Sequence, residues 1–93
     1  MTDSAWQHAI IARDRKCTRC GMIGEDLAGH HLIGRRYKKS RHDLRNGVTV
    51  CYQCHQWAHA HPSESMLYFA VERIGAQFPT VEAWEAYKRS IKG

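Results

Sequence analysis

The sequence predicts a small α+β fold in which two short strands lie among helices and are tied together by cysteines. Three observations predict it. Two Cys-x-x-Cys pairs, Cys17/Cys20 and Cys51/Cys54, bracket the middle of the 93-residue chain. The run Gly47-Val48-Thr49-Val50-Cys51 leads directly into the second pair, and its β-branched residues suit a pleated, half-buried surface. Apolar residues recur at helical spacing before the first pair and after the second. The length argues for one domain, 1–93, with an N-terminal helix in 1–16, the cysteine pairs and central strands in 17–60, and helices in 63–93. A chain this short buries a modest core, and many such domains add a metal or disulfides.

Each element has its own signal. Ser4 can cap a helix through Ala5–Arg13, with Trp6, Ala9, Ile10 and Arg13 at helical spacing. Met22 to Gly29 reads as loop, and His30-His31-Leu32-Ile33 as a short strand ended by Gly34. Residues 35–45 hold six of the 14 Lys and Arg side chains and read as a loop too charged to bury. Gly47–Cys51 is the second strand, and a helix should begin near Cys54 and run through His59 before Pro62. Ser63 can cap a helix from Glu64 to Ile74, with Gly75 a suitable terminator. Thr80, after Pro79, can cap the last helix, through Trp84, Tyr87 and Ile91. The apolar stripe Met66, Leu67, Phe69, Ala70, Val71 and Ile74 is packing surface.

The formal charge is +5, which favours polyanionic partners such as nucleic acid, most of all where the charge is clustered. No basic stretch followed by an apolar run opens the chain, and no apolar stretch approaches the ~20 residues of a membrane span. The expected location is therefore cytoplasmic, in the source cell or a host cell, with no membrane partner. Paired cysteines in that reducing compartment read as metal ligands rather than disulfides. Two residues between thiolates let both converge on one ion, and two such pairs fill a tetrahedral shell with no open position, as in a structural Zn²⁺ site. Disulfides would need an oxidising compartment. The run Cys51-Tyr52-Gln53-Cys54-His55 also matches the haem-attachment pattern, but that would require export and a separate use for Cys17 and Cys20, and a redox pair meets the same difficulty.

Four of the seven histidines fall into an ordered pattern. His30 and His31 are adjacent, and Asn46 precedes the second strand. His55 and His59 are four residues apart on a helix, so they share one face. His8, His42 and His61 read as ordinary surface or core histidines.

The order His-His, then Asn, then Cys-x-x-Cys-His-x-x-x-His resembles the HNH endonucleases, and the two cysteine pairs resemble the zinc-stabilised branch common among phage and bacterial HNH proteins. The resemblance covers residues 17–59 and implies a ββα-metal HNH core with a Cys₄ structural zinc and flanking helices. It implies a metal-dependent DNA endonuclease that leaves 5′-phosphate and 3′-hydroxyl ends. His31 matches the general base, and Asn46 matches the middle residue that holds the base-bearing strand and loop in register. His30, His55 and His59 match ligands of a catalytic divalent ion. Many relatives carry Asp where this chain has His30, and an all-imidazole site favours Zn²⁺, Ni²⁺, Co²⁺ or Mn²⁺ over Mg²⁺. Arg35, Arg36, Lys38, Lys39 and Arg41 can grip DNA phosphates, which gives affinity with little sequence preference. Two alternatives remain open: a non-catalytic zinc-finger module that binds nucleic acid or a protein, and an accessory subunit of a phage DNA-packaging machine. Strand geometry also raises a question, because neighbours on a regular strand point to opposite faces. A bend at Gly29 would let His30 and His31 share one site.

Overall fold

A computed structural model describes residues 1–73 and 76–93. The expected helix end at Ile74 and Gly75 lies outside the described residues. The elements run α1 (Asp3–Asp14), β1 (Leu27–His31), a 3₁₀ turn (Leu44–Asn46), β2 (Gly47–Cys51), α2 (Tyr52–Ala60), α3 (Pro62–Leu67) and α4 (Val81–Lys92). A π-helical turn, Tyr68–Glu72, continues α3. This is the small α+β architecture expected, with four helices and one two-stranded antiparallel sheet among the described residues.

The two strands pair with Leu27 opposite Cys51, Gly29 opposite Thr49, His30 opposite Val48 and His31 opposite Gly47. Every residue of β2 is buried, because helices cover both faces of the sheet. Gly47 and Thr49 face α1. A Cβ on Gly47 would fall 2.3 Å from the Trp6 ring, so only glycine lets that indole lie against the strand. Thr49 donates its hydroxyl to the Ile10 carbonyl (3.1 Å), and its N–H reaches the Asp14 carboxylate (2.9 Å). Val48 and Val50 point the other way, into a core with Leu32, Ile33, Ala58, Phe69, Phe78 and Trp84.

Several local expectations are corrected. Thr2, not Ser4, caps α1, its hydroxyl accepting from the Ala5 N–H at 3.0 Å. The first strand is Leu27–His31, so it starts inside the expected loop and ends before Leu32. Leu27-Ala28-Gly29 has no β-branched residue; it becomes strand because β2 offers it a partner. Helix α2 starts at Tyr52, two residues before Cys54. Ser63 caps nothing: α3 begins at Pro62, which occupies the first helical position, where its missing N–H costs no bond. Thr80 does cap α4, accepting from the Ala83 N–H at 3.1 Å.

Gly29 does not bend the strand. It keeps the regular register opposite Thr49, and its missing side chain makes room for Trp6, whose ring would lie 2.9 Å from a Cβ there. His30 and His31 therefore alternate as strand neighbours should.

Candidate active site

Among the described residues, two groups of side chains could hold a metal ion. The first is Cys17, Cys20, Cys51 and Cys54, whose sulfurs all lie within 4.8 Å of one another. The Cys20 and Cys51 sulfurs are 3.6 Å apart. That is far too long for a disulfide and near the edge of about 3.8 Å expected for a tetrahedron with 2.3 Å metal–sulfur bonds. The first pair sits in a tight turn, where the Cys17 N–H bonds the Met22 carbonyl and the Gly21 N–H bonds the Cys17 carbonyl. Gly21 has φ +81 there, a conformation that favours glycine. The turn is hung on β2 through the Thr18 N–H and the Thr49 carbonyl (2.8 Å).

The donor set fits a cation. Burial opposes ionisation of the Cys17 thiol, but the N–H groups of Cys20, Cys51 and Arg19 outweigh it and bring it down to about 6. Burial, together with the neighbouring sulfurs, pushes Cys54 up to about 12. Four clustered thiols cannot all ionise without positive charge between them, and a divalent ion supplies it. Arg19 adds to this from outside, with its guanidinium 3.7 Å from the Cys54 sulfur and 4.0 Å over the Trp57 ring. Arg73 donates to the Thr18 carbonyl and ties the turn after α3 to the first pair.

The second group is His30, His55 and His59, whose ring nitrogens also lie within 4.8 Å of one another. His30 reaches in from β1, while His55 and His59 project from one face of α2. Ring centroids are 5.1 Å apart for His30 and His55, 5.5 Å for His30 and His59, and 4.6 Å for His55 and His59. Burial, helped by the neighbouring imidazoles, pushes His30 down to about 3. Burial likewise lowers His55. Both shifts favour the neutral ring, the form that binds a metal. His30 is buried and His59 exposed, so the group opens to solvent on the His59 side, and its three side chains leave coordination positions free that four cysteines would fill.

His31 lies on the opposite sheet face. Its ring stacks on Trp6 at 3.9 Å with the planes 8° apart. Its Nε2 is 2.9 Å from the Arg41 carbonyl oxygen. A carbonyl can only accept, so Nε2 carries the proton and Nδ1 keeps the lone pair. Burial lowers the His31 pKa, partly offset by that same carbonyl, which favours the neutral ring. Because His31 is the last residue of β1, one cleft of about 430 Å³ reaches both sheet faces at the strand end. It is lined by His30, His31, His55 and His59 together with Asp3, Trp6 and Arg35.

Asn46 is fully buried and works as a backbone surrogate. Its Oδ1 accepts from the Ile33 N–H (2.7 Å), and its Nδ2 donates to the carbonyls of Ile33 and Ser40 (both 3.0 Å). It thereby joins the segment after β1 to the basic loop.

The basic loop is not uniformly available. Arg41 makes two bonds to Asp3 (3.0 and 2.8 Å), and Arg35 reaches the same carboxylate at 2.6 Å while 61% of its side chain stays exposed. Arg36, Lys38 and Lys39 are exposed. His42 also binds Asp3, at 2.7 Å, so it is more than the isolated surface histidine read from the sequence. His8 and His61 are exposed. Sequence reasoning assigned no site role to Asp3, Trp6 or Arg19. Only the clustering of charge near residues 35–42 hints that a carboxylate is needed nearby.

Residues 17–61 match the family model described as HNH endonuclease. That segment contains β1, β2 and α2, which follow one another as a ββα unit. No curated protein and no solved structure matches the chain. Among the described residues no helix is long and apolar enough to cross a membrane.

Proposed function

We propose that this chain is a metal-dependent DNA endonuclease of low sequence specificity, with His31 as general base, and with Zn²⁺ as the ion of the cysteine cluster. The observation that carries the reading is the single cleft lined by three clustered imidazoles and, from the opposite sheet face, a fourth whose tautomer is set by a carbonyl. A binding module would need the cysteines and the charge but not this arrangement.

His31 can accept a proton at Nδ1 from a water attacking phosphorus. The new bond forms between that water oxygen and phosphorus, and the bond from phosphorus to the 3′ oxygen breaks. The products are a 5′-phosphate and, once the leaving oxygen takes a proton, a 3′-hydroxyl. His30, His55 and His59 would hold a divalent ion, which supplies positive charge for the phosphate and leaving oxygens. Asn46 keeps the strand end and the basic loop in register during this step. Arg35 lines the cleft and can meet a phosphate bound there. A cytoplasmic setting, where DNA and reduced cysteines coexist, suits the same reading.

A plasmid-nicking assay tests it. Purified chain should nick supercoiled DNA with Mn²⁺, Ni²⁺, Co²⁺, Zn²⁺ or Mg²⁺ added. Mild chelation should stop cleavage without changing the circular dichroism spectrum, and added ion should restore it, because the open histidine site exchanges faster than the closed cysteine site. Retained DNA binding with no cleavage under any of these ions would leave only the binding-module reading.

The basic loop carries a separate expectation. Arg41 is committed to Asp3, so phosphate contacts should fall to the exposed Arg36, Lys38 and Lys39. Replacing these three with Ala should weaken binding equally on unrelated duplexes. It should also reduce the slope of log affinity against log salt by about 0.9 for each phosphate no longer neutralised. An unchanged slope would mean the loop is only a solvated charge run.

A further inference from the structure

The start of α1 lies outside the segment 17–61 that matches the HNH family model, yet one of its side chains stacks on His31 and another holds Arg41, whose carbonyl His31 bonds. Trp6 is 1% exposed, and its indole N–H donates to the Asp43 carbonyl at 3.1 Å. The indole is therefore locked, and the stacked His31 ring at 3.9 Å is held in one plane by it. Asp3 lies about one helical turn earlier on the same side of α1. Its carboxylate takes the Arg41 guanidinium at two atoms and the His42 ring at a third contact. Residue 41 is also the one whose carbonyl receives the His31 Nε2–H. The loop that presents this carbonyl is rich in cations that repel one another, and Asp3 is the carboxylate set among Arg35, Arg41 and His42.

We propose that Asp3 and Trp6 are positioning residues of the active site: Trp6 sets the plane of the His31 ring, and Asp3, by pinning Arg41 and His42, sets its Nε2–H tautomer. This rests on His31 being the base. A base with the lone pair on the wrong nitrogen, or turned out of line, cannot take the proton from water. Neither residue contacts substrate in this scheme, so each should act on turnover rather than on binding.

The test compares Asp3→Asn, Asp3→Glu, Trp6→Phe and Trp6→Ala with wild type in the full chain. Asp3→Asn should lower kcat by about 10- to 100-fold, by analogy with the loss when outer partners of metal-bound histidines are removed. KM should not rise and DNA affinity should not fall. Asp3→Glu, which restores the carboxylate, should recover most of the loss, and thermal melts of all variants control for folding. Nitrogen-15 spectra of the histidine rings at about pH 8, above the ordinary imidazole pKa of about 6.5, supply a readout independent of cleavage. Wild type should show His31 protonated at Nε2, and Asp3→Asn should show a mixture of tautomers. Trp6→Phe keeps a ring beneath His31 and should cost less turnover than Trp6→Ala.

Unchanged kcat and tautomer in Asp3→Asn, with tighter DNA binding, would make Asp3 a mere electrostatic screen over Arg35 and Arg41 and would overturn the proposal. Should Asp3→Asn fail to fold, the tautomer and kcat of Asp3→Glu decide in its place, because a folded Asp3→Glu chain with a mixed tautomer and full activity contradicts the assignment equally. A wild-type chain that cleaves nothing would sink the nuclease reading, while the nitrogen spectra would still show whether Asp3 governs the tautomer.

Discussion

Cys51→Ser is expected to leave the chain largely unfolded at room temperature and unable to retain zinc. Cys51 is the last residue of β2 and the residue from which α2 starts, it is 2% exposed, and it pairs with Leu27 across the sheet. It therefore ties both strands and α2 to the cysteine cluster. A closed site of four thiolates contributes roughly 10 kcal/mol or more of apparent binding energy, against a net stability of about 5–15 kcal/mol for a domain. The loss should be read as a collapsed circular dichroism melt and a zinc content below one ion per chain. A Cys51→Ser chain that melts where wild type does, or a native protein whose cysteines prove to be disulfide-bonded, would remove the structural-metal reading.

His31→Ala is expected to abolish cleavage, by about 100- to 10,000-fold for loss of a general base, while the chain still binds DNA and still takes up an ion at the histidine cluster. The separation follows from the sheet. His31 sits on the α1 face, and the rings of His30, His55 and His59 gather on the α2 face. His59→Ala is the complementary variant, since it removes the exposed ligand candidate and leaves the His31–Trp6 stack untouched. It should lose the second ion first and cleavage as a consequence. Both should be followed by cleavage rate and by metal content after mild chelation. If His31→Ala loses the ion and keeps turnover when ion is supplied in excess, the roles of His30 and His31 have been exchanged.

Strand alternation gives this division a physical basis. Two adjacent histidines on one face would both be drawn to the ion, and no base would remain. Placing them on opposite faces, at the last residues of a strand, lets both reach one cleft while only His30 lies beside His55 and His59. The expectation of a bend at Gly29 addressed a difficulty that the strand end removes.

What the sequence determined by itself is what short spacings encode. Cys-x-x-Cys brings two sulfurs together within one turn, His-x-x-x-His sets two imidazoles on one helix face, and Val48-Thr49-Val50 reads as a strand because β-branched residues favour that backbone. Thr80 as the cap of α4 is equally local. Those features were legible, and they include both groups of possible metal ligands. Tertiary structure alone decided the rest. Leu27–Gly29 is strand only because β2 pairs with it, and a partner 20 to 24 residues away leaves no mark on local composition. The stack of Trp6 on His31, the hold of Asp3 on Arg41, and the contact of Arg19 with Cys54 join residues 25 to 38 positions apart. They arise because α1 packs across the sheet face that carries His31, and because the first cysteine turn is hung on β2 beside α2. Periodicity tells a helix which face to bury; which charge or ring it will meet there is settled only when the layers close.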